Sequence, residues 1–128
     1  MKRRGKSYRL LLVDQVAAVR QALCWALEDS PDLCVAGEVD DGEKALAAAL
    51  DLQPDVVILD IDLPHVNGLE VARALKSFPH PPLVVFLTVR GNAVLRKQAA
   101  AAGGDGFVEK SEGWPALMTV IQDLLAVR

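Results

Sequence analysis

Five short apolar runs alternate with five amphipathic patterns along the chain, and this alternation constrains the fold more than any other feature. Each run is bounded by turn residues or charges, as is typical of β-strands. The runs are Arg9–Val13, Leu33–Val39, Asp55–Leu59, Leu83–Leu87 and Gly106–Val108. Strands that are apolar on both faces favour a parallel sheet with helices on each side.

The segments between the runs have apolar residues at helical spacing. The first of them ends at Ser30–Pro31, and the second runs from about Gly42 to Leu52. The later helices are predicted from their boundary residues: Asn67 and Asn92 as N-caps, Gly103–Gly104 as the end of the fourth helix, and Pro115 in the first turn of the fifth. Five such units predict a doubly wound parallel α/β sheet with the common strand order 2-1-3-4-5.

Length and charge indicate one domain of ordinary size. At 128 residues with a net charge of −3, the chain suits a single domain over 9–127 preceded by a basic tail over 1–8. The acidic balance gives no electrostatic footprint for nucleic acid. No signal peptide and no run of 18 apolar residues is found in the sequence. We therefore expect a cytoplasmic protein that binds neither nucleic acid nor membrane through this domain.

Polar residues follow four of the predicted strands. Asp14–Gln15 follow the first, Asp60 the third, Thr88 the fourth and Lys110 the fifth. Doubly wound sheets bind ligands at this edge, and the first and third strands are neighbours in the expected order. Taken singly, each residue has an ordinary explanation as a cap, a strand residue or a solvated side chain. Together they predict a magnesium-assisted phosphoryl site in which a carboxylate is the nucleophile.

From about residue 8 to residue 126 the chain resembles the receiver domain of two-component response regulators. The resemblance rests on the stretches LLLVDQ, GEVDDGEKAL, PDVVILDIDLPHVNGLEVARAL, VVFLT and AAGGDGFVEKS. It implies a flavodoxin-like fold and a phosphorelay protein that is not an enzyme. It further implies that Asp60 accepts a phosphoryl group from the phosphohistidine of a sensor histidine kinase, with Mg²⁺ bound.

The resemblance also implies roles for the surrounding residues. Asp14 would belong to the acidic pair that holds the metal, and Asp62 would offer its main-chain carbonyl. Thr88 and Lys110 would be the switch hydroxyl and the phosphate-binding ammonium, and Phe107 the rotating aromatic residue. The face made by the fourth helix, fifth strand and fifth helix would contact an output domain or partner protein, or form a homodimer.

Two residues depart from the family pattern. Gln15 stands where the family has a second acidic residue, so a metal ligand is weakened or lost. Asp62 would compensate if its side chain turned inward; the alternative is that it points into solvent. Val89 replaces a small residue after Thr88 and is expected to slow phosphate exchange. These departures leave a second hypothesis, a degenerate receiver that acts as a phosphorylation-independent interaction module.

A remote alternative comes from the stretch DIDLP, which is similar to the DxD opening of haloacid dehalogenase-like phosphatases. In that family the first Asp is the nucleophile and the second the general acid. The family needs a further acidic pair after its Lys, and after Lys110 this chain offers only Glu112 and Asp123. The motif therefore lacks its structural context.

Overall fold

The computed structural model describes residues 8–127, so residues 1–7 of the predicted basic tail and residue 128 lie outside the described part. Strands and helices alternate strictly along the chain. In order they are β1 (Tyr8–Val13), α1 (Ala17–Leu27), β2 (Leu33–Val39), α2 (Gly42–Leu52), β3 (Val56–Leu59), α3 (Gly68–Lys76), β4 (Leu83–Thr88), α4 (Ala93–Ala101), β5 (Gly106–Glu109) and α5 (Trp114–Ala126). A 3₁₀ turn, Lys110–Glu112, connects β5 to α5.

The strands form one parallel sheet in the order β2-β1-β3-β4-β5. β3 lies in the middle, with Val13 of β1 paired to Leu59 and Phe86 of β4 paired to the same residue. This arrangement confirms the predicted doubly wound fold. It also brings the ends of β1, β3 and β4 to one edge of the sheet.

Alternate residues of each strand enter two separate cores, which explains why the runs are apolar on both faces. In β3, Val57 and Leu59 face the core made with α2, α3 and α4. Val56 and Ile58 face the core made with α1 and α5. All four side chains are buried. β3 is thus covered on both sides, and the residue that follows it cannot easily reach solvent.

The predicted helix boundaries have the expected capping contacts. Asn67 accepts a hydrogen bond from the Glu70 N–H at 3.1 Å, and Asn92 accepts one from the Leu95 N–H at 2.8 Å. Pro115 lies in the first turn of α5. These residues fix where α3 and α4 begin, and so fix the two loops that border the carboxyl edge of the sheet.

None of the helices within residues 8–127 combines the length and the apolar character that crossing a membrane would require.

Candidate functional site

Two aspartates are buried side by side at the carboxyl edge of the sheet. Asp14 follows β1 and Asp60 follows β3, and each is only 3% exposed. The Asp60 N–H still donates to the Val13 carbonyl at 2.9 Å, so the pairing of β1 with β3 continues to the first residue of the loop. The sheet itself therefore holds these carboxylates near each other, as the strand order predicts.

Lys110 supplies a cation to both carboxylates. Its ammonium lies 2.8 Å from Asp14 Oδ2 and 3.6 Å from Asp60 Oδ2. The Lys110 side chain is itself only 15% exposed, because it reaches inward from the turn after β5. One positive charge is thus shared between two buried negative charges, and the cluster carries a net negative charge when both carboxylates are ionised.

This arrangement destabilises the ionised form of Asp60. Burial and the neighbouring Asp14 carboxylate raise its pKa from 3.8 to about 6. Lys110 and the Asp62 N–H, which donates to Asp60 Oδ1 at 3.1 Å, oppose that rise in pKa. At neutral pH the carboxylate is mostly ionised and only partly compensated, which suits it to bind a cation or to attack an electrophile.

The loop after β3 is held against Asp60 by Gly68. The Gly68 N–H donates to the Ile61 carbonyl at 2.8 Å, closing the stretch DIDLPHVNG back on itself. A Cβ at Gly68 would lie 2.2 Å from the Asp60 carbonyl oxygen, so only glycine fits this close approach. The spacing of Asp60 and Gly68 in the sequence therefore has a packing reason.

Thr88 is the last residue of β4 and is completely buried. Its hydroxyl accepts a long hydrogen bond from the Arg90 N–H at 3.4 Å. Val89, by contrast, is 67% exposed, so its side chain is directed at solvent. The slowing of phosphate exchange by Val89 stays a prediction.

The Asp62 side chain is 41% exposed, which corresponds to the solvent-facing alternative considered from the sequence rather than to an inward turn toward the metal. Its carboxylate forms a two-pronged ion pair with Arg90, at 2.6 and 3.3 Å. Its main-chain carbonyl accepts a 2.7 Å hydrogen bond from the Gln15 side-chain amide. Sequence reasoning missed Arg90 because 28 positions separate the partners and no local pattern links them.

The oxygen ligands of the site fit Mg²⁺, but they include one carboxylate fewer than the family pattern has. Within residues 8–127, no group of three or more His, Cys, Asp and Glu side chains is placed to hold a metal. Asp14 and Asp60 still offer two carboxylates, and Mg²⁺ is commonly held by one or two, with water and phosphate oxygens completing its shell. The Asp62 carboxylate pairs with Arg90 at 2.6 Å, and its part in holding a metal stays a prediction.

Phe107 lies on β5 and is covered by α4. Its ring packs 6.5 Å from the Phe86 ring, and the Arg96 guanidinium lies 4.5 Å above its centre. Arg96 also pairs with Glu109 at 3.1 Å. The aromatic side chain is therefore held from the core side by a ring and from the α4 side by a cation.

These features define a class of protein, a doubly wound α/β domain with an acidic pocket at the carboxyl edge of its sheet. The model of the response regulator receiver domain family matches residues 10–122, and the chain belongs to that family. It is a receiver domain of two-component phosphorelay signalling. The comparisons do not favour the phosphorylation-independent module over this reading, and the haloacid dehalogenase alternative is not supported.

Relatives of several kinds share the domain. Protein-glutamate methylesterase/protein-glutamine glutaminase 2 of Cereibacter sphaeroides is 36% identical over 122 residues, covering 91% of this chain and 33% of that protein. The DNA-binding transcriptional activator EvgA of Escherichia coli is 30% identical over 107 residues, covering 84% and 50%. A LuxR-family two-component response regulator of Aurantimonas sp. SI85-9A1 has a TM-score of 0.88 at 29% identity, covering 96% and 88%. The chain spans between about a third and a little over half of the curated relatives it matches.

The methylesterase relatives correct one expectation. The prediction that the protein is not an enzyme is wrong in that form, because a domain of this kind is also found as a part of enzymes. What residues 10–122 themselves form is the receiver part.

A further solved structure bears on the metal. The CheX–CheY complex of Borrelia burgdorferi, described with BeF₃ and Mg²⁺, has a TM-score of 0.86, and the match covers 94% of this chain and 91% of that one. At 20% identity this likeness shows the fold alone. The strength of Mg²⁺ binding in this chain is a separate question.

Proposed function

We propose that Asp60 is the phosphoacceptor of this receiver and takes its phosphoryl group from a phosphohistidine of a sensor histidine kinase. One observation carries the proposal: a nearly buried carboxylate lies 3.6 Å from the Lys110 ammonium and beside the Asp14 carboxylate. A structural aspartate in a core would be expected to have its charge fully paired. Asp60 instead keeps an incompletely compensated charge.

In the transfer, an Asp60 carboxylate oxygen forms the new P–O bond while the P–N bond to the donor imidazole breaks. The imidazole keeps the electron pair of that bond and takes up a proton. Lys110 would bind an oxygen of the incoming phosphoryl group, and Thr88, the last residue of β4, would offer it a hydroxyl donor. Both would help to hold the phosphoryl group once it is attached.

Magnesium, when bound, would offset the charge of the phosphoryl oxygens. Asp14, Asp60 and the Asp62 carbonyl are the groups that would hold it, and Gln15 would add no charge. We therefore expect weaker Mg²⁺ binding than in a receiver with a complete acidic pair.

The test is covalent labelling with acetyl phosphate in the presence of Mg²⁺, measured as a shift on a phosphate-affinity gel. Wild type is expected to be labelled, and Asp60→Asn to lose the label completely because the amide cannot form the acyl phosphate. The matched control is Asp105→Asn, since Asp105 also pairs with a lysine, Lys76, at 2.6 Å but at the other edge of the sheet. Label retained by Asp60→Asn, or absent from folded wild type, would count against the proposal.

The readout of phosphorylation is assigned to the face of α4, β5 and α5. The added charge would favour one of two packings that already coexist. Phe107 and Arg96 lie on this face and are in contact. We expect this contact to stabilise the resting packing. A second copy of the chain, an attached output domain or a separate protein would bind there. By analogy with the relatives, an output domain would be a DNA-binding or a methylesterase domain.

The Arg96 contact gives a testable consequence. Arg96→Ala removes a cation–π contact and an ion pair, each worth on the order of 0.5 kcal/mol at an exposed site. The resting packing should lose this stabilisation relative to the active packing, so beryllofluoride with Mg²⁺ should bind about two- to fivefold more tightly. Lys97→Ala, an equal charge change one residue along the exposed side of α4, is the control. Equal affinities in Arg96→Ala and Lys97→Ala, measured by fluorescence titration, would remove Arg96 from the switch.

A further inference from the structure

Asp62 is held at three points, by Asp60, Arg90 and Gln15. Its N–H donates to Asp60 Oδ1 at 3.1 Å, and its carboxylate pairs with Arg90. Its carbonyl accepts the 2.7 Å hydrogen bond from Gln15. These contacts connect the loops after β1, β3 and β4.

The chemistry of the Gln15 contact fixes the orientation of its amide. A carbonyl oxygen can only accept a hydrogen bond, so the group facing Asp62 must be the NH₂ and the amide oxygen must point elsewhere. The NH₂ group carries partial positive charge. The NH₂ group is therefore directed at the oxygen that a cation would bind, and its partial positive charge would repel that cation.

We propose that Gln15 is a positioning residue that occupies the Asp62 carbonyl in the resting receiver, so that Mg²⁺ must displace the Gln15 amide in order to bind. The inference rests on the proposed function, since it concerns the metal that assists Asp60. The proposed role of Gln15 is more than the absence of a carboxylate at that position. Gln15 competes with the metal for one ligand, while Arg90 keeps the Asp62 side chain from serving as another.

The two roles of Gln15 predict opposite effects of one substitution. If Gln15 were a neutral ligand through its amide oxygen, Gln15→Ala would weaken Mg²⁺ binding. If Gln15 occupies the carbonyl, Gln15→Ala frees a ligand and strengthens binding by about two- to tenfold, the value of one hydrogen bond. Gln15 is exposed, so its replacement leaves the two cores untouched.

The experiment is a titration of the ¹⁵N-labelled protein with MgCl₂ at constant ionic strength, followed by NMR. Mg²⁺ affinities come from the Asp62 backbone amide, and the Gln15 side-chain NH₂ resonances of wild type report directly on displacement. Gln98→Ala is the matched control, because Gln98 lines the same groove as Gln15, of about 560 Å³, on its α4 side. Gln15→Asp serves as the positive control, since it restores the second carboxylate.

Tighter Mg²⁺ binding in Gln15→Ala than in wild type and Gln98→Ala supports the inference, as does binding by Gln15→Ala where wild type shows none. Unchanged or weaker binding in Gln15→Ala overturns it and leaves the proposed function standing. If Gln15→Asp also fails to bind Mg²⁺ while remaining folded, the proposed function fails together with the inference.

Discussion

Asp60→Asn should make the folded protein more stable at pH 7 to 8 when divalent metal is removed. Each pKa unit corresponds to about 1.4 kcal/mol, so the rise of the Asp60 pKa from 3.8 to about 6 corresponds to about 3 kcal/mol of destabilisation by the charged form. The amide has the same shape and carries no charge. Lys110 keeps its closer partner Asp14, so no buried ammonium is left alone.

The raised pKa of Asp60 also determines how the stability difference between wild type and Asp60→Asn changes with pH. The folded-state pKa of Asp60 lies above its unfolded value of 3.8, so the folded protein binds the proton more tightly. The stability that this group contributes is fully present below pH 3.8 and is lost as the pH rises through about 6. The advantage of Asp60→Asn should therefore be small at pH 4, grow between pH 4 and 6 and remain level above that.

Urea unfolding of wild type and variant in EDTA across this pH range measures the difference directly. Asp62→Asn is the control, because its carboxylate is 41% exposed and forms a surface ion pair with Arg90. Surface pairs contribute about 0 to 1 kcal/mol. A destabilised Asp60→Asn, or a difference that does not change between pH 4 and 7, would show that the Asp60 charge is well compensated in the folded state.

The parts of the structure that could be predicted from the sequence depend on local chemistry. Asn67 and Asn92 were predicted as caps because an amide oxygen satisfies a free N–H wherever a helix begins. The position of Asp60 follows from β3, whose four residues are all apolar and therefore favour a strand that is covered on both faces. These signals need only a few neighbouring residues to operate.

The parts that could not be predicted depend on contacts between distant loops. Nothing near Arg90 in the sequence indicates that its guanidinium will pair with Asp62, so the sequence alone does not decide between an inward and a solvent-facing Asp62. The hydrogen bond from Gln15 is similar. The sequence shows that a carboxylate is missing, but which end of the amide faces the site depends on where the Asp62 carbonyl lies.

Lys110→Met is expected to have the opposite effect to Asp60→Asn. The methionine keeps the apolar stem and removes the ammonium that lies 2.8 Å from Asp14 and 3.6 Å from Asp60. Removing one partner of a buried ion pair commonly costs about 3 to 5 kcal/mol of folding stability. Because the Lys110 side chain is 15% exposed, we expect a loss at the lower end, about 3 kcal/mol. Urea unfolding at pH 7.5 in EDTA provides the measurement.

The double variant Asp60→Asn/Lys110→Met tests the cause. If Lys110 matters because it separates two like charges, removing one of those charges should recover a large part of the lost stability, and the two effects should not add. Lys44→Met is the matched control: Lys44 also lies between two aspartates, Asp40 and Asp41, but it is well exposed, so its replacement should cost far less. Additive effects of Asp60→Asn and Lys110→Met, or equal losses in Lys44→Met and Lys110→Met, would mean that Lys110 stabilises the fold through packing rather than through its charge.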